Sequence, residues 1–134
     1  MATLLAHVKV TEGKEDHWEE IARTVFAATH ANEKAMQRYE YWRGSDPRTY
    51  YVLLSFDDFD GFMEHQIADY HHNAPFGDCF EDFKLEWIDP IEGASPLVAS
   101  TTSGEERPEK GDLWNTYRRN HSEEVPAWWV TLRG

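Results

Sequence analysis

Apolar and polar residues alternate over residues 4–10, with Leu4, Ala6, Val8 and Val10 on one side of the run. This period of two predicts a β-strand. Beyond Gly13 the apolar residues recur at intervals of three and four, which predicts an amphipathic helix. Its apolar face consists of Trp18, Ile21, Ala22, Val25, Phe26 and Thr29. The chain therefore begins with a strand followed by a helix.

The next part of the chain predicts two strands joined as a hairpin, then a second helix and a fourth strand. Residues 36–43 and residues 50–56 are strand-like runs, separated by a turn segment rich in Gly, Ser, Asp and Pro. A second helix follows, with Asp57 or Asp58 as its N-cap and a buried stripe of Phe59, Phe62, Met63, Ile67 and Tyr70. Residues 83–88 form the fourth strand. The order β-α-β-β-α-β predicts an α+β, ferredoxin-like sandwich with both helices on one face of an antiparallel sheet.

The third strand is apolar on both of its faces, since Val52 and Leu54 point one way and Tyr51 and Leu53 the other. The helices cover one face of the sheet. A protein of this size has only a partner chain to cover the second. The sequence therefore predicts a homodimer in which two sheets face each other, forming a dimeric α/β barrel.

The composition changes after the fourth strand, which divides the chain into a barrel domain at residues 1–92 and a C-terminal arm at residues 93–134. Residues 93–112 are rich in Ser, Thr, Gly, Pro and charge, so we expect them to be flexible. Large apolar groups then return at Trp114, Tyr117, Trp128 and Trp129. We expect the last twenty residues to dock on the body of the protein or on its partner.

Charge and cysteine content exclude several functional classes. Twenty-five acidic residues against thirteen basic ones give a net charge of −12, which opposes binding to nucleic acid or an anionic membrane surface. No apolar run approaches the roughly 18 residues of a transmembrane helix, and the N-terminus lacks the pattern of a secretory signal. Cys79 is the single cysteine, so neither an intrachain disulfide nor a Cys-rich zinc site can form. These features favour a cytoplasmic protein.

Histidines are the candidate chemical groups, because the imidazole titrates near neutral pH. His7 lies within the first strand and would be enclosed by either the helix layer or the dimer layer, as a base or as a hydrogen-bonded core residue. His65 falls at the flank of the second helix, where an ion pair with Asp69 is the structural alternative. His71 and His72 stand at the end of that helix, as caps or as an acid/base at a pocket mouth. We expect no metal site, because His-Glu-x-x-His is absent.

Three segments resemble the antibiotic biosynthesis monooxygenase family of dimeric α/β-barrel proteins. They are Val10-Thr11-Glu12-Gly13-Lys14-Glu15 after the first strand, Tyr39-Glu40-Tyr41 in the second strand, and Phe56 followed nine residues later by His65. The resemblance covers about residues 4–92. Members commonly carry Glu-x-Trp at the end of the third strand, where this chain has Leu54 and Phe56.

The resemblance implies a cofactor-independent monooxygenase that acts on a small phenolic, quinol or polyketide-type aromatic by histidine-assisted deprotonation. Six Trp, six Tyr and seven Phe provide rings for such a pocket, for the core or for both. The expected site combines His7, His65 and His71 as catalytic groups with Phe26, Trp42, Phe56, Phe62 and Trp87 as walls. The alternatives are a cyclase, isomerase or lyase with a similar pocket, or a non-catalytic dimeric ligand-binding module.

Overall fold

The computed structural model describes residues 1–91 and 105–121. Four strands and four α-helices occur in these ranges, with a short 3₁₀ turn at Pro108–Lys110. They are β1 (Ala2–Val10), α1 (Glu15–Asn32), β2 (Met36–Arg43), β3 (Thr49–Phe56), α2 (Phe59–Ile67), α3 (Asp69–His72), β4 (Phe80–Trp87) and α4 (Gly111–Asn120).

The four strands form one antiparallel sheet in the order β2-β3-β1-β4. The central strand β1 pairs with β3 from Ala2 opposite Phe56 to Lys9 opposite Thr49, and its other edge pairs with β4. The predicted ferredoxin-like α+β class is confirmed. This order places β1 and β3 in the middle of the sheet, where both of their edges are hydrogen-bonded.

The helices cover one face of the sheet because their apolar stripes match the buried side of the strands. From α1, Trp18, Ile21 and Val25 are buried in the same core as Leu4 and Val8 of β1. That core closes around large aromatic groups, among them Phe56, Phe59, Phe62 and Trp87.

The second helix begins where its N-cap predicts but ends earlier than its apolar stripe suggests. The Asp58 carboxylate accepts a hydrogen bond from the Gly61 backbone N–H at 2.8 Å, which fixes the first turn. At Ala68 the backbone leaves the helical region (φ −58°, ψ 137°), so α2 stops at Ile67. The expected continuous helix through Tyr70 is therefore wrong, because residues 69–72 form the separate turn of α3.

The opposite face of the sheet carries a mixture of apolar and charged side chains. Register places Leu5 and His7 of β1 beside Tyr51 and Leu53 of β3 on this face, and Trp42 of β2 lies opposite Tyr51 with 58% of its surface exposed. We call these five residues the open sheet face.

The helix α4 packs against α2. Trp114 is 1% exposed and meets the Phe59 ring edge-on at a centroid distance of 6.4 Å. Arg107, just before α4, pairs with Asp60 through Nη1 and Oδ2 at 2.7 Å. Residues 93–104 and 122–134 of the expected C-terminal arm lie outside the described residues, as does residue 92 before it. None of the described helices combines the length and the apolar character needed to cross a membrane.

Candidate functional site

A cavity of about 350 Å³ lies between the helix-facing side of the sheet and the helices. This volume falls near the lower end of the range for small-molecule sites, roughly 300–1,000 Å³. Every strand and every α-helix described contributes to its wall, together with the connecting residues Phe76 and His121. The lining residues are Ala6, Trp18, Tyr39, Tyr41, Val52, Leu54, His65, Gln66, His71, Phe76, Phe80, Phe83, Leu85, Tyr117, Asn120 and His121.

A buried hydrogen-bonded pair joins His65 of the cavity wall to Glu33, the first residue after α1. The His65 Nδ1 atom lies 3.0 Å from both Glu33 carboxylate oxygens, and the Tyr70 hydroxyl donates to the same carboxylate. Because a carboxylate only accepts hydrogen bonds, Nδ1 carries a proton and donates it to Glu33. The other ring nitrogen, Nε2, has no hydrogen-bond partner among the described residues.

The position of His65 differs from the one its helical spacing predicts. Its side chain is 1% exposed rather than lying at the flank of α2. The predicted stripe included Ile67 and Tyr70, but the helix ends at Ile67, and the buried face of α2 is rotated to include His65 and Gln66. The expected ion pair with Asp69 is also wrong, since the Asp69 carboxylate accepts from Asn73 instead.

His71 lies beside His65, with their ring centroids 4.5 Å apart. Its Nδ1–H donates to the backbone carbonyl of Gln66 at 3.2 Å. Burial, together with the neighbouring His65, lowers the pKa of His71 to about 4, since both disfavour the charged imidazolium. His71 is therefore neutral at pH 7, and its Nε2 is an acceptor.

Tyr39 and Tyr41 form a second polar feature of the wall. They are two residues apart in β2, so both rings lie on the helix-facing side, and their hydroxyl oxygens are 2.7 Å apart. Burial raises the pKa of Tyr39 well above its usual value and that of Tyr41 to about 12, so both stay protonated at neutral pH. One O–H donates to the other hydroxyl, which leaves the second O–H without a protein acceptor in the described part of the chain.

Three of the cavity residues come from the C-terminal helix and the residue after it. Tyr117 and Asn120 belong to α4, and His121 follows it directly. The Gln66 side-chain amide donates to His121 Nε2 at 3.0 Å. His72 Nδ1 lies 2.7 Å from the Tyr117 hydroxyl.

The remaining site candidates from the sequence lie outside this cavity. His7 is on the open sheet face, with Nε2 2.8 Å from Glu86 Oε1 and a side chain that is 39% exposed. Phe26 and Trp42 line a separate groove of about 420 Å³ between α1 and β2. The other three candidates, Phe56, Phe62 and Trp87, are buried in the core next to the cavity. The structure thus brings His65 and His71 together and places His7 on the other side of the sheet.

Glu33, Tyr39, Tyr41 and Tyr70 were not among the candidates from the sequence. The two-residue spacing of Tyr39 and Tyr41 in a strand was a usable signal, because it places both hydroxyls on one face. Glu33 gave no such signal, since a carboxylate at the end of a helix normally faces water. Within the described residues, no group of three or more His, Cys, Asp and Glu side chains could hold a metal ion.

The fold and the cavity define a small α+β protein of ferredoxin-like topology with a ligand-sized space between its layers. The model of the antibiotic biosynthesis monooxygenase family matches residues 1–75, more than half of the chain. The chain belongs to this family, as its sequence resemblance indicated. Among curated proteins, none matches the chain significantly.

Solved structures share this fold at low sequence identity. A protein of Caulobacter crescentus with the provisional name antibiotic biosynthesis monooxygenase is 24% identical, with a TM-score of 0.62 over 66% of this chain and 88% of that one. A protein of Nitrosomonas europaea with the same provisional name is 13% identical, with a TM-score of 0.63 over 68% of this chain and 99% of that one. A Bacteroides thetaiotaomicron protein described as a possible oxidoreductase is 16% identical, with a TM-score of 0.59 over 64% of this chain and 93% of that one. About a third of this chain lies outside each alignment.

Proposed function

We propose that this protein is a cofactor-independent monooxygenase that oxidises a small phenolic, quinol or polyketide-type aromatic in the cavity between sheet and helices. The observation that carries the proposal is the buried Glu33–His65 pair at the cavity wall, where His65 Nδ1–H donates to the carboxylate and Nε2 has no hydrogen-bond partner among the described residues. The monooxygenase chemistry is carried over from the family and from the provisional names of the structural relatives.

The first step is removal of a proton from the bound substrate. His65 Nε2 accepts the proton from a phenol or from a carbon activated by a neighbouring carbonyl. The resulting imidazolium is stabilised by the Glu33 carboxylate on its other nitrogen, so base and counter-charge are already in place. The free O–H of the Tyr39–Tyr41 pair donates to the oxyanion of the substrate. Tyr39 lies beside the base, since the centroids of the Tyr39 and His65 rings are 4.7 Å apart.

The second step transfers electrons from the substrate anion to O₂. At an activated CH₂ group the carbanion forms a C–O bond with oxygen, and His65 returns its proton to give a hydroperoxide. Loss of water then breaks the O–O bond and leaves a carbonyl group. One oxygen atom enters the product and the other leaves as water, and the substrate supplies all four electrons.

The rest of the wall supports this chemistry by surrounding the substrate with apolar groups. Its other side chains are mostly apolar, for example Val52, Leu54 and Phe80. A desolvated anion is more easily oxidised, and a water-poor cavity strengthens the Glu33–His65 interaction. The neutral His71 beside His65 adds an acceptor without adding charge.

The proposal includes a homodimer formed through the open sheet face. This face presents Leu5, Tyr51, Leu53 and the exposed Trp42 from three adjacent strands. An apolar surface on the central strands of a sheet is stabilised when a second sheet covers it. His7 then lies at the interface, where its pairing with Glu86 is a structural contact.

Oxygen uptake with a panel of hydroquinones, naphthols and anthrone tests the function. His65→Ala should lower turnover by roughly 10²- to 10⁴-fold, the usual contribution of a general base. His17→Ala serves as the matched control, because His17 bonds the Pro75 carbonyl outside the cavity. His7→Ala should keep turnover close to that of the unmodified protein.

Three results would contradict the proposal in different ways. Turnover that depends on His7 but not on His65 would move the site to the sheet face. Product formation under argon would identify proton-transfer chemistry of the cyclase, isomerase or lyase type. Tight ligand binding without turnover on any substrate would identify a binding module.

A further inference from the structure

The C-terminal helix gives this cavity a wall that lies beyond the part of the chain matched by the family. The family match ends at residue 75, whereas Tyr117, Asn120 and His121 come from α4 and the residue after it. We infer that His121 and Asn120 determine specificity by binding a second oxygen of the substrate. The substrate class is then an aromatic with a carbonyl or hydroxyl group in addition to its acidic phenol or activated carbon. This inference rests on the proposed function and specifies its substrate.

The helix α4 is held in place by contacts outside the cavity. Trp114 is buried against Phe59, Arg107 pairs with Asp60, and the Asn115 side chain bonds both the N–H and the carbonyl of Arg107. None of these residues lines the cavity. These contacts hold α4 at residues that do not face the cavity, in addition to the hydrogen bond between Tyr117 and His72.

His121 presents an unused hydrogen-bond donor. The Gln66 amide nitrogen donates to His121 Nε2, so the proton of the imidazole is on Nδ1. Nδ1 has no hydrogen-bond partner among the described residues. The ring is fixed by an edge-on contact with Phe62 at 5.2 Å and a stacked contact with Tyr117 at 6.0 Å. A donor held in one orientation is suited to recognise a specific oxygen.

The charge state of His121 defines which oxygen it recognises. Burial lowers its pKa, because the charged imidazolium is disfavoured away from water. A neutral imidazole N–H is a good hydrogen-bond donor for a carbonyl or hydroxyl oxygen of the substrate. A carboxylate on the substrate would be bound better by a positively charged side chain.

Asn120 and Tyr117 differ in what they can offer to a ligand. Asn120 is exposed at this end of the cavity, and its side-chain amide makes no hydrogen bond within the described residues. The amide can therefore donate to or accept from a substrate oxygen. The Tyr117 hydroxyl is already paired with His72, so we assign Tyr117 a packing role.

Calorimetric binding of 1-naphthol and of the dihydroxynaphthalene isomers tests this inference. The unmodified protein should bind at least one dihydroxynaphthalene roughly three- to tenfold more tightly than 1-naphthol, the effect of one or two neutral hydrogen bonds. His121→Phe should abolish this preference and change the affinity for 1-naphthol by less than about twofold. Asn120→Ala should reduce the preference, and His121→Gln, which keeps a donor, should restore part of it.

Thr116→Ala is the matched control on α4, because Thr116 is exposed and its hydroxyl bonds only within this helix, donating to the Asp112 carbonyl and accepting from Arg119. It should leave the preference unchanged. An equal loss of affinity for all ligands in His121→Phe would overturn the inference. It would show that α4 only covers the cavity. Absence of any preference in the unmodified protein would also overturn it.

The binding assay requires no turnover, so it separates the two proposals. A protein that shows the His121-dependent preference but consumes no oxygen would refute the monooxygenase activity. It would still support the role of His121 and Asn120 in specificity. Oxygen consumption that depends on His65, with ligand binding unaffected by changes at His121 and Asn120, would support the monooxygenase activity and refute the specificity role.

Discussion

His65 and Glu33 come from different helical segments, and they meet so that His65 Nδ1 lies 3.0 Å from each oxygen of the Glu33 carboxylate. Tyr70 of α3 donates to the same carboxylate. One acceptor group therefore connects the end of α1 to α2 and α3. The same contact orients the imidazole that faces the cavity, so we expect both stability and the proposed chemistry to depend on this carboxylate.

Replacing Glu33 should affect both properties. Glu33→Ala removes the acceptor shared by the buried His65 and the half-buried Tyr70, and we expect a loss of roughly 1–3 kcal/mol in the free energy of unfolding. Glu33→Gln keeps one acceptor oxygen and should lose less. Urea unfolding measures both values, with Glu20→Gln on the exposed side of α1 as the control.

Turnover of folded protein separates a positioning role of Glu33 from a purely structural one. Glu33→Gln removes the counter-charge of the imidazolium that forms during the proposed reaction, so turnover should fall even where the variant is fully folded. Unchanged turnover in folded Glu33→Gln would show that Glu33 supports the fold alone.

The Tyr39–Tyr41 pair should contribute to catalysis through its free O–H. Tyr39→Phe/Tyr41→Phe removes both hydroxyls and the 2.7 Å hydrogen bond between them, whereas either single variant still leaves one free O–H. For the double variant we expect turnover to fall roughly 10²-fold or more, the usual effect of losing an oxyanion donor, with about 1 kcal/mol lost in stability. Tyr51→Phe, on the other face of the sheet, is the control. Equal turnover in the double variant and the unmodified protein would exclude the donor role.

His71 should make the protein less stable in mild acid. Its pKa is about 4 in the folded protein, below the usual 6.5, so the unfolded chain binds a proton that the folded chain does not. The stability associated with neutral His71 is complete above pH 6.5 and is lost as the pH falls towards 4, by at most about 1.4 kcal/mol per pH unit.

Comparison of the unmodified protein with His71→Gln measures this effect. Between pH 6.5 and pH 5 the stability advantage of the unmodified protein over the variant should shrink by roughly 1–2 kcal/mol. His17→Gln should follow the curve of the unmodified protein. Parallel pH curves for His71→Gln and the unmodified protein would contradict the assignment.

The fold could be predicted because most elements are encoded by local patterns. Strand β2 spans Met36–Arg43, as its sequence predicts, and Asp58 caps α2. Strand β4 starts three residues before its predicted beginning, since Phe80 continues the pairing with β1 across a register shift. The helix α4 was not predicted, because its ten residues are mostly polar and only Trp114 is buried among the apolar ones.

The site was less predictable because its contacts join distant parts of the chain. Glu33 and His65 are 32 residues apart, and no local spacing indicates that they meet. The orientation of His65 depended on the end of α2 at Ile67, which follows from the backbone at Ala68 rather than from the apolar pattern. His121, which was not among the candidates from the sequence, contacts Phe62 and Gln66 because α4 packs on α2.

The homodimer can be tested by placing a charge on the open sheet face. Leu53 lies in the central strand β3, opposite Leu5 of β1 and Glu40 of β2. In a face-to-face dimer, Leu53→Glu would bury a carboxylate beside apolar groups of both copies, which costs several kcal/mol. Sedimentation should show a dimer for the unmodified protein and a monomer for Leu53→Glu at the same micromolar concentration.

Ala31→Glu, on the exposed surface of α1, adds the same charge and should stay dimeric. A folded monomer for the unmodified protein, or a dimer that tolerates Leu53→Glu, would show that this face does not join two copies.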